Sequence, residues 1–291
     1  LTVIAGFTKC CKTTLTLNII LKALNEGKNV CLLSLEMTKR SVLNALVSLL
    51  TYEIDPEASL TRDELDELYH LDRNWYDKKL NLLKSLPGSL IVLSEKELEE
   101  SVKGTFRYSE ENLNRVFENA NKYFVDTTGK EAEVVAVDNI NCIKKWENTT
   151  SESGYTQASN YFRKISLNFA PYVDCDADLS EKQYGGKPVI MLLVSQVNRT
   201  GGQQALEWGH YPPSCIAETV SMERDCTALI SILVQPFVND IARIKLELSR
   251  FSSVMEMSVD CPLNLPYAKV GLPLGEINID KELYESLKEG C

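Results

Sequence analysis

Apolar residues along this chain follow two rhythms. Near-continuous apolar runs occur at "LTVIAG" (1–6), "NVCLLSLE" (29–36), "SLIVLSE" (89–95), "EVVAVDNI" (133–140) and "PVIMLLVSQ" (188–196). Runs of this kind predict strands covered on both faces, the pattern of a parallel sheet. Between the first two, Leu15, Leu17, Ile20, Leu21 and Leu24 recur at helical spacing before a glycine stop at Gly27. Further helices are predicted over 39–51, 61–86, 110–123 and roughly 156–170, the second opened by the capping box Thr61-x-x-Glu64. Strand and helix therefore alternate, which predicts a doubly wound α/β sheet.

The last third changes rhythm. "TALISILVQ" (227–235), "ARIKLELSR" (242–250) and "VMEMSVD" (254–260) are alternating or apolar with short connections, as expected of antiparallel strands added at one sheet edge. The tail from 261 carries Pro262, Pro266 and Pro273 and reads as an irregular arm, so the expected division is 1–260 and 261–291. Two stretches read as long loops, 144–156 and 199–214. No internal repeat or low-complexity segment interrupts the pattern.

Composition narrows the class. With 291 residues and 44% hydrophobic positions, the chain can bury the core of one large α/β domain. It opens at Leu1 rather than at a methionine, as expected of a domain belonging to something longer. Nine cysteines with no C-x-x-C pair fit neither a zinc site nor a small disulfide framework, and point to a reducing, intracellular compartment, expected to be the cytoplasm. No run of 18 apolar residues and no leader pattern is present, so no membrane role is expected. The net charge of −10 argues against a broad basic surface for nucleic acid but permits a narrow basic channel.

The chemistry begins at "GFTKCCKTT" (6–14), which has the frame of a phosphate-binding loop with Cys11 in place of its second glycine. An apolar strand runs into it and a helix leaves it. The nucleotide-binding set is Gly6, Lys9, Cys11, Lys12, Thr13 and Thr14: backbone N–H groups converge on the phosphates, Lys12 neutralises them, and the Thr13 hydroxyl binds Mg2+. A left-handed Cys11 costs on the order of 1–2 kcal/mol relative to glycine, which weakens a loop without deleting it. If the Cys11 thiol faces the phosphate cavity, Lys12 and the helix N-terminus are expected to favour its thiolate. Asp138 ends a buried strand where an acid can hold the Mg2+ shell. Glu36 ends another, where a carboxylate can polarise an attacking water, and Gln196 ends a third, where a neutral amide can sense a γ-phosphate.

In order through residues 1–260, "LTVIAG…KTTLTLNI", "SLEM", "VVAVDN", "PVIMLLVSQVNR" and "AETVSMERDCTALISIL" resemble the C-terminal motor domain of DnaB-like replicative helicases. The resemblance implies a RecA-like P-loop ATPase fold, ATP and Mg2+ as ligands, a hexameric homo-oligomeric ring around single-stranded DNA, and primase or a helicase loader as further partners. It implies roles for Lys12 and Thr13 on phosphate and magnesium, Glu36 as general base, Asp138 as the magnesium-shell acid and Gln196 as sensor. "LSR" aligns with the family's K-x-R, which makes Arg250 the arginine that reaches a neighbour's nucleotide. The sequence departs from that pattern at Cys11, at Leu248 where the family has lysine, and at Ala217 where it usually has arginine.

The family's channel loops correspond to 144–160 and 199–214. They bring Lys144, Lys145, Arg163, Lys164 and Arg199 as candidate phosphate contacts, with Trp146 and Trp208 as candidate stacking rings. The leading reading is an ATP-driven helicase motor. An ATP-switched DNA-binding or recombination mediator, and a hydrolysis-poor structural ring subunit, are the alternatives.

Overall fold

The computed structural model describes residues 1–102, 104–143, 145–147, 151–167, 188–209, 211, 226–234, 240–250 and 258–271. Lys144, Ala217, positions 168–170, 212–214 and 254–257 and the tail from 272 lie outside the described residues.

Strands β1 (Thr2–Gly6), β2 (Val30–Ser34), β3 (Leu90–Ser94), β4 (Val134–Asp138), β5 (Ile190–Gln196), β6 (Ala228–Val234), β7 (Ile241–Ser249), β8 (Ser258–Asn264) and β9 (Lys269–Val270) form one nine-stranded sheet in the order β3-β2-β4-β5-β1-β6-β7-β8-β9. All pairings from β3 to β6 are parallel and those from β6 to β9 antiparallel. The expectation that 227–235 adds antiparallel at an edge is corrected, because β6 lies parallel to β1 and reverses only against β7. The sheet also runs past 260. Asn18 on the first helix bonds the Ala268 carbonyl at 2.8 Å and the Val270 N–H at 3.2 Å, so 261–271 belong to the folded body rather than to an irregular arm.

Continuous apolar runs form these strands because both faces are covered. Val135 and Val137 point into one core with Phe117, Phe124 and Phe162, while Val134 and Ala136 point into the opposite core with Leu21, Leu46 and Leu49. Helices α1 (Lys12–Asn25), α2 (Lys39–Ile54), α3 (Arg62–Leu71) and α4 (Arg73–Lys84) precede β3. The single helix expected over 61–86 is two, because Asp72 leaves helical geometry and its carboxylate accepts the Trp75 N–H at 3.0 Å to cap the second. The Thr61–Glu64 capping box is present. Helices α5 (Glu95–Val102) and α6 (Glu110–Thr128) follow β3, α7 (Ser151–Leu167) follows β4 and α8 (Arg199–Trp208) follows β5. The two stretches expected as long loops thus hold helices, and α5 is an addition to the expected set. Among the described residues no helix is long and apolar enough to cross a membrane.

Candidate functional site

β1 delivers the chain to the loop 7–11, and α1 leaves it at Lys12. Gly6 is required by close approach, since a Cβ there would lie 2.7 Å from the Ile232 carbonyl of β6. Cys11 takes the left-handed conformation expected of it (φ 58°) and is the N-cap of α1 without a side-chain hydrogen bond to that helix; Lys9 is left-handed as well (φ 63°). The uncapped first turn of α1 keeps the amide environment that suits an anion. The Cys11 side chain packs against the core formed by Ile4, Leu15 and Ile232. Burial pushes its thiol up to about 11, with Cys10 adding to the shift and Lys12 and Arg62 opposing it. The expected thiolate is therefore corrected. Desolvation outweighs the neighbouring lysine, and Cys11 is a neutral apolar group at neutral pH.

Lys12 is buried and its ammonium donates to the Phe7 carbonyl at 2.9 Å. Burial lowers its pKa, opposed by Cys10, Glu36, Asp138 and Cys11. Asp138, at the end of β4 and 2% exposed, accepts a hydrogen bond from the Thr13 side chain. Burial raises its pKa to about 6, with Glu36 adding to the shift and Thr13 and Lys12 pulling against it. Its Oδ1 is buried without a hydrogen-bond partner. An orphaned carboxylate oxygen beside a threonine hydroxyl is an all-oxygen donor pair, and it fits Mg2+ shared with phosphate. Among the described residues no cluster of three or more His, Cys, Asp or Glu could hold a metal alone. A cation here therefore depends on the nucleotide's own oxygens.

The register aligns the remaining groups. Ser34 of β2 stands opposite Asp138, and Glu36, exposed, follows two residues on. The Asn139 amide donates to Glu36 at 3.4 Å. Gln196 ends β5 opposite Gly6, and its amide donates to the Thr8 hydroxyl inside the loop. Lys12, Thr13, Asp138, Glu36 and Gln196 thus gather at the carboxyl ends of the adjacent strands β2, β4, β5 and β1, where ligands of open α/β sheets bind.

Sequence reasoning missed two supports of the loop. The Tyr211 hydroxyl accepts the Phe7 N–H at 2.7 Å and donates to the Ile232 carbonyl at 3.0 Å, tying the loop to β6. Gly202 of α8 lies against the Phe7 ring, so closely that a Cβ would sit 2.0 Å from it. The glycine pair in "RTGGQQ" is the available signal for that contact. Nothing in the spacing points to Tyr211.

Arg250 follows β7 at the far end of the sheet. Its N–H bonds the Thr227 carbonyl at 2.9 Å and its Nε the Cys226 carbonyl at 2.8 Å, both just before β6 begins. Roughly 16 Å of strand separates that point from the loop, so Arg250 cannot serve its own chain's loop. Leu248 pairs with Leu229 across a register shift and packs against the core, which is what occupies the place of the family's lysine.

The basic residues are not gathered in one place. Lys145 and Arg199 are exposed after the carboxyl ends of β4 and β5. Arg163 and Lys164 ride the last turns of α7, next to Ser166, whose carbonyl accepts the Val189 N–H at the start of β5. Lys164 pairs with Glu110 at 2.9 Å. Trp146 is buried against Tyr161 and so is unavailable for stacking, whereas Trp208 is 54% exposed.

Sheet order, parallel register and the loop after the first strand define a RecA-like α/β fold, mostly parallel with antiparallel edge strands. Within that class, the chain is similar in structure to a solved ATPase domain of the DnaB-like replicative helicases, with TM-score 0.64 and 14% identity over 92% of this chain and 83% of that one. It is also similar to a DnaB-like replicative helicase described with its interactions with primase, with TM-score 0.62 and 13% identity over 93% of this chain and 56% of the other. The chain thus spans little more than half the length of that helicase. No protein-family model and no curated protein sequence matches the chain. At these identities the likeness establishes the fold.

Proposed function

We propose that this chain is an ATP-hydrolysing motor domain that translocates on single-stranded DNA as a subunit of a hexameric replicative-helicase ring. The observation that carries the reading is the convergence of Lys12, Thr13, Glu36, Asp138 and Gln196 on one loop from four adjacent strand ends. Lys12 neutralises phosphate charge, and its backbone and that of its neighbours orient the nucleotide. Thr13 and Asp138 would hold Mg2+, which when bound offsets the charge of the phosphate oxygens. Glu36, exposed at the site, accepts a proton from the attacking water. Gln196, bonded to Thr8, transmits the state of the loop along β5 to α8. Arg250 serves a neighbouring subunit, and Lys145, Arg199 and Trp208 face the DNA. Primase or a loader would act on the assembled ring.

ATP hydrolysis with and without single-stranded DNA, in the unaltered chain and in Glu36→Gln, tests this reading. DNA-stimulated hydrolysis lost in the variant, together with ATP-dependent opening of a forked duplex, is the expected result. Nucleotide binding without hydrolysis in either protein would favour a second reading, an ATP-switched binding protein or a hydrolysis-poor ring subunit. Leu248, packed into the core in place of a lysine, is the observation on that side.

A further inference from the structure

Asn139 makes two hydrogen bonds that decide which way its amide faces. The Asn141 N–H donates to its Oδ1 at 2.8 Å, which turns the oxygen toward the short 3-10 turn Ile140–Cys142 and leaves Nδ2 toward the Glu36 carboxylate at 3.4 Å. Exchanging the two amide atoms would set one donor against another. Asn139 is 4% exposed at the end of β4, whereas Glu36 is exposed beyond the end of β2. The fixed member of this pair is the amide, and the adjustable member is the acid.

The same turn carries a second link. Asn141 Oδ1 accepts the Gln196 N–H at 2.7 Å and the Ser195 hydroxyl at 3.3 Å. Gln196 in turn donates to Thr8 in the loop. A continuous series of hydrogen bonds therefore runs from Glu36 through Asn139, Asn141 and Gln196 to Thr8, crossing the ends of β2, β4, β5 and β1.

We infer that Asn139 is a positioning residue for Glu36, holding one carboxylate oxygen so that the other faces the attacking water, and that Asn141 registers this arrangement with Gln196. The inference rests on the reading of Glu36 as general base given above. An exposed glutamate otherwise samples several rotamers, and a base outside hydrogen-bond reach of its proton contributes little. A single buried donor removes that freedom and keeps the acid ionised, because the amide bonds the charged form.

Asn139→Asp separates this role from a structural one. Aspartate keeps the acceptor for the Asn141 N–H, and hence the turn, but cannot donate to Glu36 and sets a second carboxylate beside it. The expected result is a kcat for ATP hydrolysis lowered about 10-fold or more, with the KM for ATP unchanged. Combined with Glu36→Gln, Asn139→Asp is expected to cause no further loss. A kcat in Asn139→Asp equal to that of the unaltered chain overturns the positioning role and leaves the proposed function standing. No hydrolysis in the unaltered chain overturns both. A readout independent of turnover is the side-chain amide NMR signal of Asn139 in chain labelled on asparagine. Glu36→Gln is expected to displace that signal, and an unmoved signal overturns the inference whatever the activity.

Discussion

At the scale of single residues, Cys11 and Asp138 show how burial decides chemistry. Cys11 bears a left-handed backbone that costs on the order of 1–2 kcal/mol, and its side chain returns part of this by packing against Ile4, Leu15 and Ile232. Cys11→Gly removes both terms, so denaturant unfolding is expected to give a stability within about 1 kcal/mol of the unaltered chain. Cys11→Val keeps the apolar contact but makes the left-handed conformation harder, and is expected to lose about 2 kcal/mol or more.

Asp138 gives a pH dependence of defined sign. Its pKa in the folded chain is about 6, against an ordinary value of 3.8, so between those pH values the folded state holds a proton that the unfolded state has lost. The stability contribution of protonated Asp138 is therefore complete below about 4 and is lost as pH rises through about 6. The loss is on the order of 3 kcal/mol. Metal-free protein is expected to become less stable over that window, and Asp138→Asn to flatten the slope. A slope unchanged in Asp138→Asn would show that another group titrates.

At the scale of elements, the loop is shaped by what is pressed onto it. Alanine is a better helix former than glycine by about 1 kcal/mol, so propensity alone expects Gly202→Ala to stabilise α8. The Cβ would however lie 2.0 Å from the Phe7 ring, and overpacking of that kind costs about 1–3 kcal/mol. Gly202→Ala is thus expected to destabilise the chain and weaken nucleotide binding, and Phe7→Ala in the same chain to restore part of the loss in a double-mutant cycle. Additive losses would mean that α8 and the loop are not coupled through this contact. The residue patterns of β1 to β5 made those strands legible, because strands covered on both faces must be apolar throughout. α8 was not legible: "RTGGQQALEW" has glycines and polar residues that read as loop. Only Asn198 capping the Gly201 N–H at 2.7 Å and the burial of Gly202 under Phe7 make it a helix.

At the scale of the whole molecule, Arg250 and the loop lie at opposite ends of the sheet, so a shared site requires two subunits joined head to tail. Lys12→Ala and Arg250→Ala are each expected to lose ATP hydrolysis. Mixed in equal amounts, they should regain about a quarter of the unaltered rate, because random pairing joins an intact loop to an intact arginine at that frequency. No recovery on mixing would place Arg250 outside the reaction.

The sequence by itself determined the alternating α/β plan, the loop at 6–14 and the acids and amide that end strands, because apolar period and strand-end chemistry are local properties. It also carried the left-handed strain at Cys11, which follows from the motif's geometry and a β-carbon. Tertiary structure decided what depends on neighbours distant in the chain. Cys11 became a neutral thiol because the third core surrounds it, and Trp146 became a packing residue against Tyr161. β6 turned out parallel because it lies beside β1, and Leu248 was drawn into the core across a register shift. The Asn139 and Asn141 links needed β2, β4 and β5 to stand side by side, since no spacing in a single chain states which strand ends will be adjacent.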